Sequence, residues 1–467
     1  MYDVVAIGSG PGGYVAAIKG AQLGGKIAVV EKDKIGGCCL NRGCIPTKAL
    51  VRTAEVYLTA KKAHECGVNV GEVNFDIRVA MERKAQVVQQ IVGGVDQLLR
   101  SNKIDVYSGI ATVPGPGKVV VNKSDGTVEE LETKNIILAT GASQERPPIS
   151  NESMGLTISS DDALELDFVP KTMVVIGGGV LGVEFACIYN AFGTKVDMIK
   201  RSPGILPAMD DEISRRLIPV MRKKGITVNP GMYIKEIVQA EDGDRVVRCE
   251  TKDGGKAEFK AEVVLVAMGM MPSFGGIDLD NLGVAYDRKR GIQVDDHLRT
   301  TVAGIYAIGD VVGKYYLAQV ASFEGIVAME NIFGHDTKMD YTVIPNCVFS
   351  IPEVAGVGLR EKDAKDAGIP IKVSKFPFTA NGRAVAMGET EGIVKFVADA
   401  RDNKILGMHV MGPRADDLIH EGAIAIRMGA TSIDIAEMIH AHPTLPEAVM
   451  EAARGIASQP IHLARIR

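Results

Sequence analysis

A chain of 467 residues, 46% hydrophobic and 24% charged, has the make-up of a soluble globular protein. At roughly 100–200 residues per domain, it holds about three domains. A net charge of −5 argues against a general nucleic-acid binder, which wants a clustered basic face. No segment has the roughly 18 apolar residues of a membrane span, and the start lacks the basic region of a signal peptide. Seven cysteines, an odd and sparse set, argue against a secreted disulfide framework. They fit a cytoplasmic protein in which one close pair does chemistry.

The first element expected is a strand, DVVAI, from Asp3 to Ile7. It runs into GSGPGG, then a small-residue helix, then a second apolar run ending at Glu31. Strand, glycine turn, helix and strand open a dinucleotide-binding fold. Gly8 permits the tight turn, Gly10 lets backbone approach a pyrophosphate, and Gly13 lets the helix pack closely on the strand. The helix N-terminus offers free N–H groups to the anion. Glu31 stands where a carboxylate accepts hydrogen bonds from a ribose.

Between Thr47 and about Lys103 the spacing is mostly helical and amphipathic, which reads as structural packing. The strand–glycine–helix pattern then recurs, with Gly177, Gly179 and Gly182 between an apolar strand and a helix, followed by the apolar run KVDMI. Two such units imply two nucleotides, a tight flavin dinucleotide and a diffusible nicotinamide. The strands NIILATG and EVVLVAMG end at Gly141 and Gly269, each closing a nucleotide unit. From about Tyr341 alternating strands precede two helical stretches, an α+β unit. The expected architecture is α/β: two Rossmann-like dinucleotide-binding domains and a C-terminal α+β domain. Boundaries fall at 1–147 (FAD, first part), 148–270 (NAD(P)), 271–345 (FAD and central, second part) and 346–467 (the α+β unit, which resemblance to a known family makes the dimerisation domain).

Within GGCCLNRGCIPTK, Cys39 and Cys44 lie five positions apart. On a helix that exceeds one turn, so a bridge between them needs a distorted first turn, which the glycines and Pro46 make feasible. Placed after the first nucleotide unit, the pair can sit against a bound cofactor ring. A zinc site would need two further Cys or His ligands, and none is nearby, so no metal is expected. Buried structural thiols are the remaining alternative to a redox pair.

Near the C-terminus, Pro443 disfavours helix at His442, so HPTLPE reads as a loop entering the helix EAVMEAARGIA. Glu447 can orient the His442 imidazole and favour its protonated form, raising it from about 6.5 and letting it accept a thiol proton. His440 reads as a loop or structural residue.

The cysteine segment, the ATG at Ala139 to Gly141, the TVAGIYAIGD at Thr301 to Asp310 and the HAHPTLPE at His440 to Glu447 resemble the pyridine-nucleotide disulfide reductases. Within that family the chain is similar to the dihydrolipoamide dehydrogenase branch, over essentially its whole length. The resemblance implies that Cys44 lies against the flavin as the charge-transfer thiol and that Cys39 exchanges with the substrate. It makes Lys48 and Glu184 an ion pair near the flavin ring where the nicotinamide stacks, and Asp310 the acid at the ribityl and pyrophosphate region. It assigns the FAD contacts Gly8, Gly10, Gly13, Glu31 and Gly141. It also places His442 in the partner subunit's active site, so the enzyme is a homodimer. The cofactors implied are FAD and NAD or NADP, and the partner a lipoyl-bearing protein of a 2-oxoacid dehydrogenase or glycine cleavage system.

Three departures from the family pattern stand out. Cys38 directly precedes Cys39 and reads as an inert buried thiol, the alternative being disulfide exchange or oxidative sensitivity. Lys200, followed by Arg201, replaces the Glu that holds the adenosine ribose of NAD; two cations there attract a 2′-phosphate. Met270 and Met271 replace an arginine-containing motif, and Gln319 and Val320 replace residues common near the flavin. A glutathione-type NADPH reductase fits Lys200 and Arg201, but HAHPTLPEAV and FPFTANGRA look like the lipoamide branch. Mercuric reductases carry a C-terminal cysteine pair, which the tail IASQPIHLARIR lacks. A non-enzymatic structural subunit of a lipoyl complex would not need the cysteines, Lys48, Glu184, His442 and Glu447 together.

Overall fold

Strands that read as unbroken apolar runs belong in sheets covered on both faces, and such runs form the centre of the molecule. The computed structural model describes residues 1–464, so the last three residues of the C-terminal unit and of its tail lie outside the described part. β1 (Tyr2–Ile7), β2 (Ile27–Glu31), β3 (Asp105–Ser108), β4 (Val128–Leu138) and, from far along the chain, β5 (Ile305–Ala307) pair in parallel in the order β3-β2-β1-β4-β5. An antiparallel pair, Ile110–Gly115 and Lys118–Asn122, extends β4 at its outer end. Val4, Val5, Ala6, Val29, Ile136 and Ile137 are wholly buried.

α1 (Pro11–Gln22) crosses from β1 to β2 with proline at its first position, where no N–H is needed. It packs on α2 (Ala318–Ile332) at very short range: a Cβ on Gly325 would lie 2.7 Å from the Gly12 carbonyl oxygen. A second parallel sheet repeats the design with Ile226–Asn229, Lys195–Ile199, Thr172–Ile176 and Val263–Val266 side by side, and the helix Val180–Phe192 over it.

The C-terminal sheet is antiparallel, Asn346–Val348, Glu353–Gly358, Ile405–Gly412, Ile393–Asp399 and Ile371–Pro377 in spatial order. Helices Ala415–Met428 and Glu447–Ala457 pack on it. Its strand Ile393–Asp399, expected to alternate, is instead buried at every position: only Lys395 and Asp399 are polar, and Lys395 faces Asp210 and Glu361 instead of solvent.

The helical stretch expected from Thr47 to Lys103 is two long helices, Cys44–Lys62 and Ile77–Ser101. Gly67 in the left-handed region ends the short turn after the first, and the Asp76 side chain caps the second through the Arg78 N–H. Among the described residues, no helix is long and apolar enough to cross a membrane.

Candidate active site

The glycine loop after β1 takes its shape from contacts that no side chain would survive. Gly8 has φ +105°, and a Cβ there would meet the Ala139 carbonyl oxygen at 2.3 Å; one on Gly13 would meet the Gly8 oxygen at 1.9 Å. At Gly10 a Cβ would meet nothing within 4 Å, so this is where the loop backbone is open to a ligand. Glu31, the last residue of β2 and one beyond its pairing with β1, accepts from the Ser9 N–H (2.9 Å) and hydroxyl (2.6 Å) with one oxygen and from the Asp33 N–H (2.9 Å) with the other. The carboxylate therefore braces the loop and retains acceptor capacity for a ribose.

The cysteines sit directly on this loop. Gly37, at φ +59°, comes so close that a Cβ would lie 2.7 Å from the Gly10 Cα, and the Gly36 N–H donates to the Ser9 carbonyl at 3.1 Å. Cys39 lies on the short helix Gly37–Arg42 and Cys44 begins the helix Cys44–Lys62, with Gly43 between them at φ −134°, ψ −110°. The distorted helical turn expected from the spacing is thus a complete break between two helices. It brings the two Cα atoms to 4.7 Å, and Cys39 and Cys44 form a disulfide. Five cysteines are free, and Cys38 is exposed where a buried thiol was expected; the protein around it still withdraws enough water, with Asp161 adding to the effect, to push its thiol up.

One turn on from Cys44, Lys48 Nζ contacts both Glu184 carboxylate oxygens at 3.0 Å. Glu184 is 1% exposed and also accepts the Phe349 N–H, while the Lys48 ammonium lies 4.5 Å from the Phe349 ring centre. Three parts of the chain meet at this pair. Phe349 and the neighbouring Cys347 gave no sequence signal, because their place depends on how the C-terminal sheet docks.

A cavity of about 1820 Å³ joins these features. Gly8, Gly10, Glu31, Cys39, Cys44, Lys48, Gly141, Glu184, Gly179, Gly269 and Asp310 line it, with Gln319, Val320 and Met270. Gly13, Gly177, Gly182, Lys200 and Arg201 do not; the three glycines fit loop to helix, a Cβ on Gly182 falling 2.6 Å from the Gly177 oxygen. Burial pushes Asp310 up to about 6, and no hydrogen bond reaches its carboxyl among the described residues. Behind it Glu324, unremarked in the sequence, accepts the Gly309 N–H at 2.6 Å and the Tyr341 hydroxyl at 2.7 Å. An elongated dinucleotide fits this cavity: an open glycine backbone at a helix N-terminus for the pyrophosphate, and an unsatisfied acid for its hydroxyls.

His442 and Glu447 stand apart from the cavity. His442 Nδ1 lies 2.9 Å from Glu447 Oε1, and Glu447 Oε2 accepts the Thr444 N–H at 2.8 Å. Partial burial acts against ionisation of Glu447, but the Thr444 N–H and His442 outweigh it and hold the carboxyl below its usual range. An ionised carboxylate only accepts, so His442 donates through Nδ1 and its Nε2 is left to take a proton. The imidazole is 77% exposed. His440 instead contacts Glu421 at 3.4 Å.

The sequence model of the pyridine nucleotide-disulphide oxidoreductases matches residues 2–325, and that of their dimerisation domain matches residues 344–453. The chain belongs to this family. This pyridine nucleotide-disulphide oxidoreductase is 41% identical to the dihydrolipoyl dehydrogenase of Bacillus subtilis (strain 168), with 99% of each chain covered. It is 41% identical to that of Geobacillus stearothermophilus, over 99% of this chain and 97% of the other. Among solved structures, the Cu(II) complex of the HOCl-induced flavoprotein disulfide reductase RclA from Escherichia coli matches with a TM-score of 0.87 and 26% identity, covering 97% of this chain and 99% of that one.

Proposed function

We propose that this oxidoreductase is a dihydrolipoyl dehydrogenase that oxidises the dithiol of lipoyl groups through Cys39 and Cys44. The observation that carries the reading is the Cys39–Cys44 disulfide, held on the first glycine loop in a cavity that also reaches the Lys48–Glu184 pair and the second glycine loop. FAD is assigned to the first unit (1–147 with 271–345), on Gly8, Gly10, Glu31, Gly141 and Asp310. The nicotinamide dinucleotide is assigned to 148–270, on Gly179, with Gly177 and Gly182 shaping the loop under it and Gly269 at the edge. Residues 346–467 are read as the dimerisation domain, and a lipoyl-bearing protein as the partner. Five free thiols beside one pair suit the reducing cytoplasm.

The protein's own part is thiol exchange. The partner subunit's His442 takes the proton of one substrate thiol at Nε2, with Glu447 holding the imidazolium. The thiolate attacks Cys39 Sγ; the Cys39–Cys44 bond breaks and Cys44 leaves as a thiolate. The second substrate thiol passes its proton to the departing Cys39 sulfur as it displaces Cys39 from the mixed disulfide, closing the lipoyl ring and leaving Cys39 as a thiol beside the Cys44 thiolate. Two electrons then reside on Cys39 and Cys44. FAD, when bound, supplies the two-electron relay from this dithiol to the nicotinamide, which restores the disulfide. Lys48 and Glu184 fix charge beside that relay.

Steady-state oxidation of dihydrolipoamide by the FAD-loaded protein tests the reading. Turnover with dihydrolipoamide is expected. Reduction of glutathione disulfide without any dihydrolipoamide oxidation would overturn it.

A further inference from the structure

The two glycine-loop units can be laid on each other residue by residue through their pairing. In the first, Ile7 pairs with Val30 and the Gly8 N–H donates to the Val30 carbonyl at 2.8 Å, so Glu31 is the next residue out. In the second, Ile176 pairs with Ile199 and the Gly177 N–H donates to the Ile199 carbonyl at 2.9 Å, so the next residue out is Lys200. Both side chains turn back to the residue following the first glycine. Glu31 bonds Ser9, and Lys200 runs along Gly178, where a Cβ would lie 2.7 Å from its Cδ and 3.2 Å from its Nζ.

Lys200 is only 8% exposed, and no hydrogen bond or ion pair reaches its ammonium among the described residues; burial alone lowers its pKa. A buried cation without a partner is costly, and an anion delivered by a ligand removes that cost. The adenosine ribose of a dinucleotide lies at this place in such units: a carboxylate there binds a free 2′-hydroxyl, and a cation accommodates a 2′-phosphate. Arg201 follows, exposed.

We propose that Lys200 binds a 2′-phosphate, so that the second unit takes NADP(H) in preference to NAD(H) while the first, with Glu31, takes the unphosphorylated ribose of FAD. This rests on the reading of the second unit as the nicotinamide site. The pyrophosphate keeps its own place at the N-terminus of the helix Val180–Phe192, so Lys200 is free to act at the ribose.

The test is calorimetric titration of the FAD-loaded protein with adenosine 2′,5′-bisphosphate and with 5′-AMP, which differ only in the 2′-phosphate. The bisphosphate is expected to bind roughly ten- to a hundred-fold more tightly, the gain of one charged hydrogen bond. Lys200→Met abolishes the difference, Lys200→Arg keeps it, and Lys200→Glu inverts it; Met and Arg carry the test if Glu does not fold. NADPH and NADH, titrated in parallel, should follow the same order. If both nicotinamides bind but the 2′-phosphate gives no gain, the proposal falls and the nicotinamide site stands. If neither nicotinamide binds, both fall.

Discussion

At the scale of single residues, Cys44 and Asp310 show how position sets chemistry. Cys44 begins its helix, one turn from the Lys48 ammonium, and in the proposed reaction it is the leaving thiolate when substrate attacks Cys39. Cys44→Ser is therefore expected to abolish dihydrolipoamide oxidation. It should also remove the long-wavelength absorption band of the two-electron-reduced wild type; retained turnover would refute the assignment. Asp310 has its carboxyl raised by burial from 3.8 to about 6. The folded apoprotein thus holds this proton more tightly than the unfolded chain, and stability from this group is lost as pH rises from about 4 through 6. Asp310→Asn, uncharged at every pH, should raise the melting temperature of the apoprotein at pH 7–8 and leave it unchanged near pH 4. The same variant is expected to bind FAD less well, measured by flavin retention on gel filtration.

At the scale of elements, the site depends on backbone approaching backbone. The Gly13 position has no room for a methyl group, because the Gly8 carbonyl oxygen is already there and belongs to the loop itself. Gly13→Ala must push α1 from the loop, at about 1–3 kcal/mol for overpacking. The purified variant should carry less flavin, read from the ratio of visible to ultraviolet absorption, and melt lower. Full flavin content with unchanged melting would show that the loop gives way more freely than its contacts indicate. The Gly43 break works in the opposite sense, ending one helix and starting the next so that two cysteines on separate helices meet.

At the scale of the whole molecule, the candidate base and the disulfide belong to different parts of the fold. His442 and Glu447 are bonded to each other on the C-terminal unit, away from the cavity that holds Cys39 and Cys44. If the partner subunit completes the site, a dimer of one Cys44→Ser chain and one His442→Gln chain has one intact site and one that lacks both groups. Co-expressed, separately tagged chains purified as the heterodimer should recover about half of wild-type activity, although each homodimer is inactive. An inactive heterodimer would place both groups in one subunit.

The sequence by itself determined the two nucleotide units, the cysteine pair and the His442–Glu447 contact. Each is local: a glycine spacing, an apolar run or a partner five positions away is enforced by backbone sterics and short-range hydrogen bonds. Glu324 behind Gly309, Phe349 on Glu184 and Lys395 between Asp210 and Glu361 left no such mark, since their partners are 15, 165, 185 and 34 positions away. Only the tertiary structure decided them, because burial without a partner is too costly and the partner must come from a distant segment. Lys200 lies between these cases: the sequence placed a cation at the end of the second unit's strand, and only the packing against Gly178 showed it buried and, among the described residues, without a counter-charge.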